Sequence, residues 1–179
     1  MSKSVTEHEW RKKAAGLAEW RKNRTSPPNL DLYMRIVRMV HVGDSVLDCG
    51  SGQCHLKQCL EHEWQDTSKY QPKHYHAVDP FPLDDRIVKA TAEDLNNWVQ
   101  PRHTIFMLSA LDNVRDLKLA LQGLKHVAID NIVILTGIGI PPDKNHTVQI
   151  DRADLVSVLG EPFQEVEMLP KCWLLEWRL

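Results

Sequence analysis

Ser45-Val46-Leu47-Asp48-Cys49 is a short apolar run that stops at Gly50-Ser51-Gly52, and Leu56, Cys59 and Leu60 then recur at helical spacing. A strand that ends in a glycine turn and opens into a helix confines the chain to folds in which strands and helices alternate. The alternation continues downstream. His74-Tyr75-His76-Ala77-Val78-Asp79, residues 86–90 and residues 103–109 read as three further strands. Val114, Leu117, Leu121 and Leu124 return to helical spacing, ahead of the buried-strand pattern Asn131-Ile132-Val133-Ile134-Leu135-Thr136. Strands linked through helices imply right-handed crossovers and a mainly parallel sheet covered on both faces. The C-terminal part differs. Residues 152–159 space as a helix, but the runs 165–169 and 172–179 are separated only by Pro170-Lys171. A parallel crossover needs a dozen or more residues, so these two strands pair antiparallel and leave one reversed strand near a sheet edge.

Ahead of the first strand, residues 5–23 carry Trp10, Ala14, Leu17 and Ala18 on one helical stripe. Thr25-Ser26-Pro27-Pro28-Asn29 breaks that helix, and a second one follows over residues 30–40 with Leu30, Met34, Val37 and His41 in line. At 179 residues the chain suits one α/β domain. The formal charge of −2 conceals a split, because residues 1–40 carry +5 and residues 41–179 carry −7. A basic segment on an acidic body marks either a contact for an anionic partner or a solvated helix docked on its own domain. No window approaches eighteen consecutive apolar residues, and the first ten residues lack a signal-peptide core. Three of the four cysteines (Cys49, Cys54, Cys59, Cys172) fall within eleven residues and none forms a CxxC pair. Reduced thiols in a cytoplasmic protein with no membrane span are the expectation.

The residues with chemical content gather at the glycine turn. Glycines there let the backbone turn sharply and approach a ligand, while the following helix offers its free N–H groups. A dinucleotide fingerprint requires a third glycine at position 55, where His55 stands. Asp48 instead lies two positions before the first glycine, an arrangement suited to a ligand with a positively charged amino acid moiety. The sequence here resembles the class I S-adenosylmethionine-dependent methyltransferases. Their first motif, acid-x-Gly-x-Gly-x-Gly, is matched by Asp48, Gly50 and Gly52, with Cys54 in place of the third glycine. Their strand-end acid, which binds the ribose hydroxyls, is matched by Asp79 in Ala77-Val78-Asp79-Pro80, 27 residues after Gly52.

The resemblance implies a three-layer Rossmann-like sandwich whose seven-stranded sheet is mostly parallel with an antiparallel C-terminal strand. It implies S-adenosylmethionine as cofactor, held by Asp48, Gly50, Ser51, Gly52, Asp79 and Pro80. Thr91, Ala92 and Glu93 then lie along the adenine edge, and Ser109 closes the fourth strand. Residues 29–179 form the cofactor-binding domain and residues 1–28 a basic helical arm and linker. In this family such a segment commonly folds over the pocket, as a lid or as a contact for an anionic acceptor. The alternative is a non-catalytic module of this fold that binds the cofactor or a protein partner.

Missing motifs narrow the acceptor. Amino-directed base methyltransferases carry an Asn/Asp-Pro-Pro-aromatic motif after strand four, where this chain reads Ser109-Ala110-Leu111-Asp112; Ile140-Pro141-Pro142-Asp143 lacks the aromatic, and no Pro-Cys nucleophile is present. A small molecule, protein or RNA is expected over a DNA base. No catalytic base is assigned; by position the candidates are Asp112, His146 and Tyr33. His55, Cys59 and His62 share a helical face, but three ligands on a helix that buries one face read as core, and no metal is expected.

Overall fold

The computed structural model describes residues 4–22, 30–67, 74–83, 85–144 and 146–179. Seven strands, β1 (Ser45–Cys49), β2 (His74–Asp79), β3 (Val88–Lys89), β4 (Arg102–Leu108), β5 (Ala128–Gly137), β6 (Gln164–Leu169) and β7 (Cys172–Arg178), form one sheet in the order β3-β2-β1-β4-β5-β7-β6. The first five are parallel, and β7 runs against both of its neighbours. The Pro170-Lys171 turn joins β6 to β7, with Lys171 at φ 61°. The helices are α1 (Glu7–Lys22), α2 (Leu30–Met39), α3 (His55–Thr67), α4 (Leu95–Trp98), α5 (Leu117–Val127) and α6 (Arg152–Leu159).

Because successive strand side chains point to opposite faces, each central strand feeds two cores. Leu47, Ile105, Met107, Ile132, Ile134, Leu175 and Trp177 pack under α5 and α6. Val46, Phe106, Leu108, Val133, Leu135 and Leu174 pack on the other face under α2 and α3. All five residues of β1 are buried, as a central parallel strand covered on both sides requires. The helices begin where the sequence supplies acceptors. Thr6 Oγ1 accepts the Glu9 N–H while the Glu9 carboxylate accepts from Thr6, a reciprocal cap for α1. Asp116 caps α5 by accepting from the Leu119 N–H at 3.1 Å.

Two expectations are corrected. The third strand is only Val88–Lys89, both exposed, because an edge strand is held by one neighbour. In α2 the buried residues are Leu32, Ile36 and Val37, with Leu30 and Met34 only partly buried and His41 exposed. That helix is apolar on more than one stripe, and its docking against α3 and the sheet selects which stripe is covered. The helix after the glycine turn continues through Thr67 and so takes up much of the distance between Gly52 and Asp79. The Pro27-Pro28 break and residues 68–73 lie outside the described residues. No described helix is long and apolar enough to cross a membrane.

Candidate functional site

Connections leave β1 toward β2 and β3, and leave β4 toward β5, so the sheet reverses direction between β1 and β4. In open α/β sheets this switch point leaves a crevice beyond the carboxyl ends of the strands. The turns after β1 and after β4 meet there. Gly50, Gly52 and Cys54 have φ of 76°, 53° and 55°. The Gly50 and Ser51 N–H groups both donate to the Val78 carbonyl, at 2.9 and 3.1 Å, which ties the turn to β2. A Cβ on Gly50 would stand 2.5 Å from the Ala110 Cβ, so only glycine lets the two turns close. Cys54 takes the left-handed conformation where the resembled family has its third glycine, at a cost of about 1 kcal/mol. Ser109 adopts φ 55° as well, its N–H donating to Leu135 at 2.8 Å.

Asp79 reaches this turn despite its separation in sequence. Its Oδ2 accepts the Gly52 N–H at 3.0 Å and its Oδ1 accepts the Phe81 N–H at 2.8 Å. Asp48 lies beneath the turn and lines neither cavity described below. It is buried and accepts a hydrogen bond from the Tyr75 hydroxyl. Burial pushes its carboxyl up to about 7, with the charge of Asp79 adding to the rise and the Tyr75 hydrogen bond opposing it. The Tyr75 phenol is itself pushed up by burial and by Asp48.

A narrow slot opens on one side of the turn. Gly50, Asp79, Pro80, Thr91, Ala92 and Glu93 line it, as the sequence leads one to expect. Phe81, Met107 and Val114 supply apolar walls, and Trp10, Ala14 and Leu17 of α1 close it from outside. The Trp10 indole lies 6.0 Å from the Phe81 ring at 43°. Glu93 braces more than it lines, because its Oε1 accepts the Arg115 and Asp116 N–H groups at 2.7 and 3.1 Å ahead of α5. Gly123 brings α5 against this edge; a Cβ there would stand 2.0 Å from the Ala92 carbonyl oxygen.

A wider cleft of about 990 Å³ opens on the other side. Gly50, Ser51, Gly52, Ser109 and Asp112 form its floor. Lys12 and Lys13 of α1, Tyr33 of α2, Lys144 and His146 form its walls. Asp112, Tyr33 and His146 therefore converge on one cavity. Gly50 and Asn113 line both spaces, so slot and cleft share a boundary. Two buried side-chain atoms at this junction, Ser51 Oγ and Asn113 Oδ1, have no hydrogen-bond partner. Such atoms mark a site where a ligand completes the polar contacts.

The first helix is strapped over both spaces. Trp10 Nε1 donates to the Asn113 carbonyl at 2.8 Å, and Lys13 Nζ donates to the carbonyls of Asp143 and His146 at 2.9 and 3.2 Å. The Val5 N–H donates to Arg115 at 3.0 Å. Trp10, Phe81, Met107 and Asn113 were not singled out by sequence reasoning; the only advance signal was the apolar stripe of α1, whose target the sequence did not name. Among the described residues no group of three or more His, Cys, Asp or Glu side chains gathers as a metal site. Cys59 of the helical trio is buried against α2, its thiol facing the Leu30 carbonyl at 3.8 Å, whereas His62 is exposed.

No protein-family model matches the sequence, and no characterised protein matches it in sequence. Solved structures do match in fold. A 1,6-didemethyltoxoflavin-N1-methyltransferase of Burkholderia thailandensis, with its acceptor and S-adenosylhomocysteine bound, superposes with a TM-score of 0.66 at 14% identity, over 97% of this chain and 90% of that one. A SAM-dependent methyltransferase of Aquifex aeolicus matches at TM-score 0.60 and 17% identity, over 90% and 97%. The magnesium protoporphyrin IX methyltransferase of Synechocystis PCC 6803, with bound SAM, matches at 0.60 and 12%, over 93% and 92%. The chain has the Rossmann-like fold of the S-adenosylmethionine-dependent methyltransferases.

Proposed function

We propose that the chain is an S-adenosylmethionine-dependent methyltransferase whose acceptor is a small molecule bearing negative charge. The observation that carries this reading is the junction of slot and cleft at Gly50 and Asn113, where two buried polar atoms lack partners. Bound there, S-adenosylmethionine supplies a methyl group activated on a sulfonium. The protein's part is to hold, orient and dry the reactants, which suffices for in-line transfer.

The slot suits an adenosine. Trp10, Phe81, Met107 and Val114 offer apolar faces to a purine, and the carboxylate of Asp79 can accept from ribose hydroxyls because it has about four lone-pair sites. Ser51, whose Oγ lacks a partner, and the glycine turn face the amino acid moiety. Asp48 acts from below, holding β1 and β2 in register at the turn through Tyr75.

The acceptor enters the cleft, where exposed Lys12 and Lys144 stand at the walls. These cations attract an anionic acceptor, and the Lys13 strap makes α1 a lid in the same assembly. The Burkholderia and Synechocystis neighbours, whose acceptors are a heterocycle and a porphyrin by name, support a small-molecule acceptor. Four free thiols fit a cytoplasmic location. Calorimetric titration with S-adenosylhomocysteine tests the reading. Binding is expected, and Asp79→Ala should weaken it at least tenfold; a folded protein that shows no binding overturns it.

A further inference from the structure

The cleft wall holds an imidazole between two carboxylates drawn from different parts of the chain. His146 Nδ1 lies 2.8 Å from Asp143 Oδ1, which also accepts the His146 backbone N–H at 2.8 Å. On the other side of the ring, Nε2 lies 3.5 Å from Asp112 Oδ2. Asp112 is positioned in turn. Its Oδ1 accepts from Asn113 Nδ2 at 2.9 Å, and its carbonyl accepts the N–H groups of Thr147 and Val148 at 2.7 and 3.1 Å. Those last two bonds fasten the loop carrying His146 to the turn after β4, the turn that also forms the cleft floor.

A histidine whose Nδ1–H donates to a carboxylate keeps its lone pair on Nε2, and His146 is one of the residues that line the cleft. We propose that His146 is the general base of the methyl transfer, with Asp143 as the positioning residue that fixes its tautomer and Asp112 as the carboxylate that steadies the imidazolium formed. The inference rests on the methyltransferase reading of the same cleft.

The step balances as follows. The acceptor's O–H or N–H proton passes to Nε2, and its electron pair stays on the acceptor atom. That atom's lone pair forms the bond to the methyl carbon, and the carbon–sulfur pair returns to sulfur. The positive charge lost from sulfur is the charge gained by His146, which then releases its proton to water. The acceptor is thereby specified further: its nucleophile is a weakly acidic O–H or ring N–H. A carboxylate, already ionised at neutral pH, requires no base. The charged and titratable groups around His146 are Asp112 beside Nε2, Asp143 beside Nδ1 and Lys13 on its carbonyl. Farther along the same cleft stand Glu9 and Lys12 of α1, Tyr33 of α2, His55 of α3, and Lys144.

Imidazole nitrogen NMR on uniformly labelled protein saturated with S-adenosylhomocysteine reads the tautomer directly. At pH 8 the His146 resonance is expected to show protonated Nδ1 and bare Nε2, and Asp143→Asn should weaken that preference. A protonated Nε2 in the native protein overturns the proposal. On acceptors found by transfer of a labelled methyl group, His146→Gln should lower kcat by about 10²–10⁴ and leave the affinity for S-adenosylhomocysteine within twofold. A kcat within threefold of native overturns the role of the base. Loss of S-adenosylhomocysteine binding by the native protein overturns the methyltransferase reading itself, so the two failures are distinguishable.

Discussion

The slot and the cleft share three residues, Leu17, Gly50 and Asn113, and differ in almost everything else. The slot is assembled from strand ends and the short turns behind them, so its shape follows from the sheet and its walls are mainly apolar. The cleft is walled by α1, α2 and the loop after β5, and its walls carry lysines, carboxylates and histidines. One is dictated by topology and can serve any acceptor chemistry; the other is set by elements that the sheet does not constrain. Cofactor contacts should therefore tolerate little change, and acceptor contacts should be replaceable one at a time.

The largest effect is expected where the two spaces touch. Gly50→Val places a branched side chain against Ala110 in a left-handed conformation, and the expected loss is about 2–4 kcal/mol of stability. Thermal unfolding and calorimetry should record both that loss and the disappearance of S-adenosylhomocysteine binding; a variant that still binds would show that the turns need not close.

The support beneath the glycine turn responds to pH. The raised Asp48 carboxyl means that the folded protein holds a proton which the unfolded chain has released, over the window between pH 4 and about 7. Its contribution to stability is therefore lost as pH rises through that window, on the order of 4 kcal/mol once Asp48 is ionised. Asp48→Asn removes the titration. The native protein should lose denaturation free energy relative to this variant between pH 5 and 8, and parallel pH profiles would contradict the assigned burial.

Trp10→Ala opens the outer wall of the slot and should weaken S-adenosylhomocysteine by about tenfold, the worth of a partly shielded aromatic face. An unchanged dissociation constant would mean that α1 belongs to the cleft alone. The smallest effect on the cofactor is expected from the charge reversals Lys12→Glu and Lys144→Glu together. They should leave its affinity within twofold yet raise KM for an anionic acceptor about tenfold at low salt, with the difference shrinking as ionic strength increases. Equal sensitivity of both ligands would erase the distinction between the two spaces.

The sequence discloses the slot better than the cleft, for reasons visible at single residues. Ser45–Cys49 is legible because its apolar run ends at a glycine turn and is buried throughout, and His74–Asp79 because its buried end, Ala77 to Asp79, stops at Pro80. Gly50 stands out in the sequence because a close approach of backbone demands glycine, and Asp79 because an acid closes the second strand. Asp48 read as part of the same turn, yet its side chain is directed to Tyr75, a partner 27 positions away that no local pattern names. Trp10 meets Asn113 across 103 positions and Lys13 meets Asp143 across 130, so neither contact has a local signature. The buried face of α2 was misjudged for a related cause: periodicity identifies stripes, and only docking chooses among them. The proton-handling arrangement needs Asp112, Asp143 and His146 together, and its geometry depends on two backbone bonds that tie one loop to another turn.

The Lys13 strap also bears on the order of events in a catalytic cycle. The lysine on the helix that walls the slot holds the carbonyl groups of the loop that carries His146. Lifting the helix breaks the Lys13 bonds to the Asp143 and His146 carbonyls and leaves that loop held from the Asp112 side. Under the proposed function, seating the nucleotide and seating the proposed base are thus coupled through one lysine of α1.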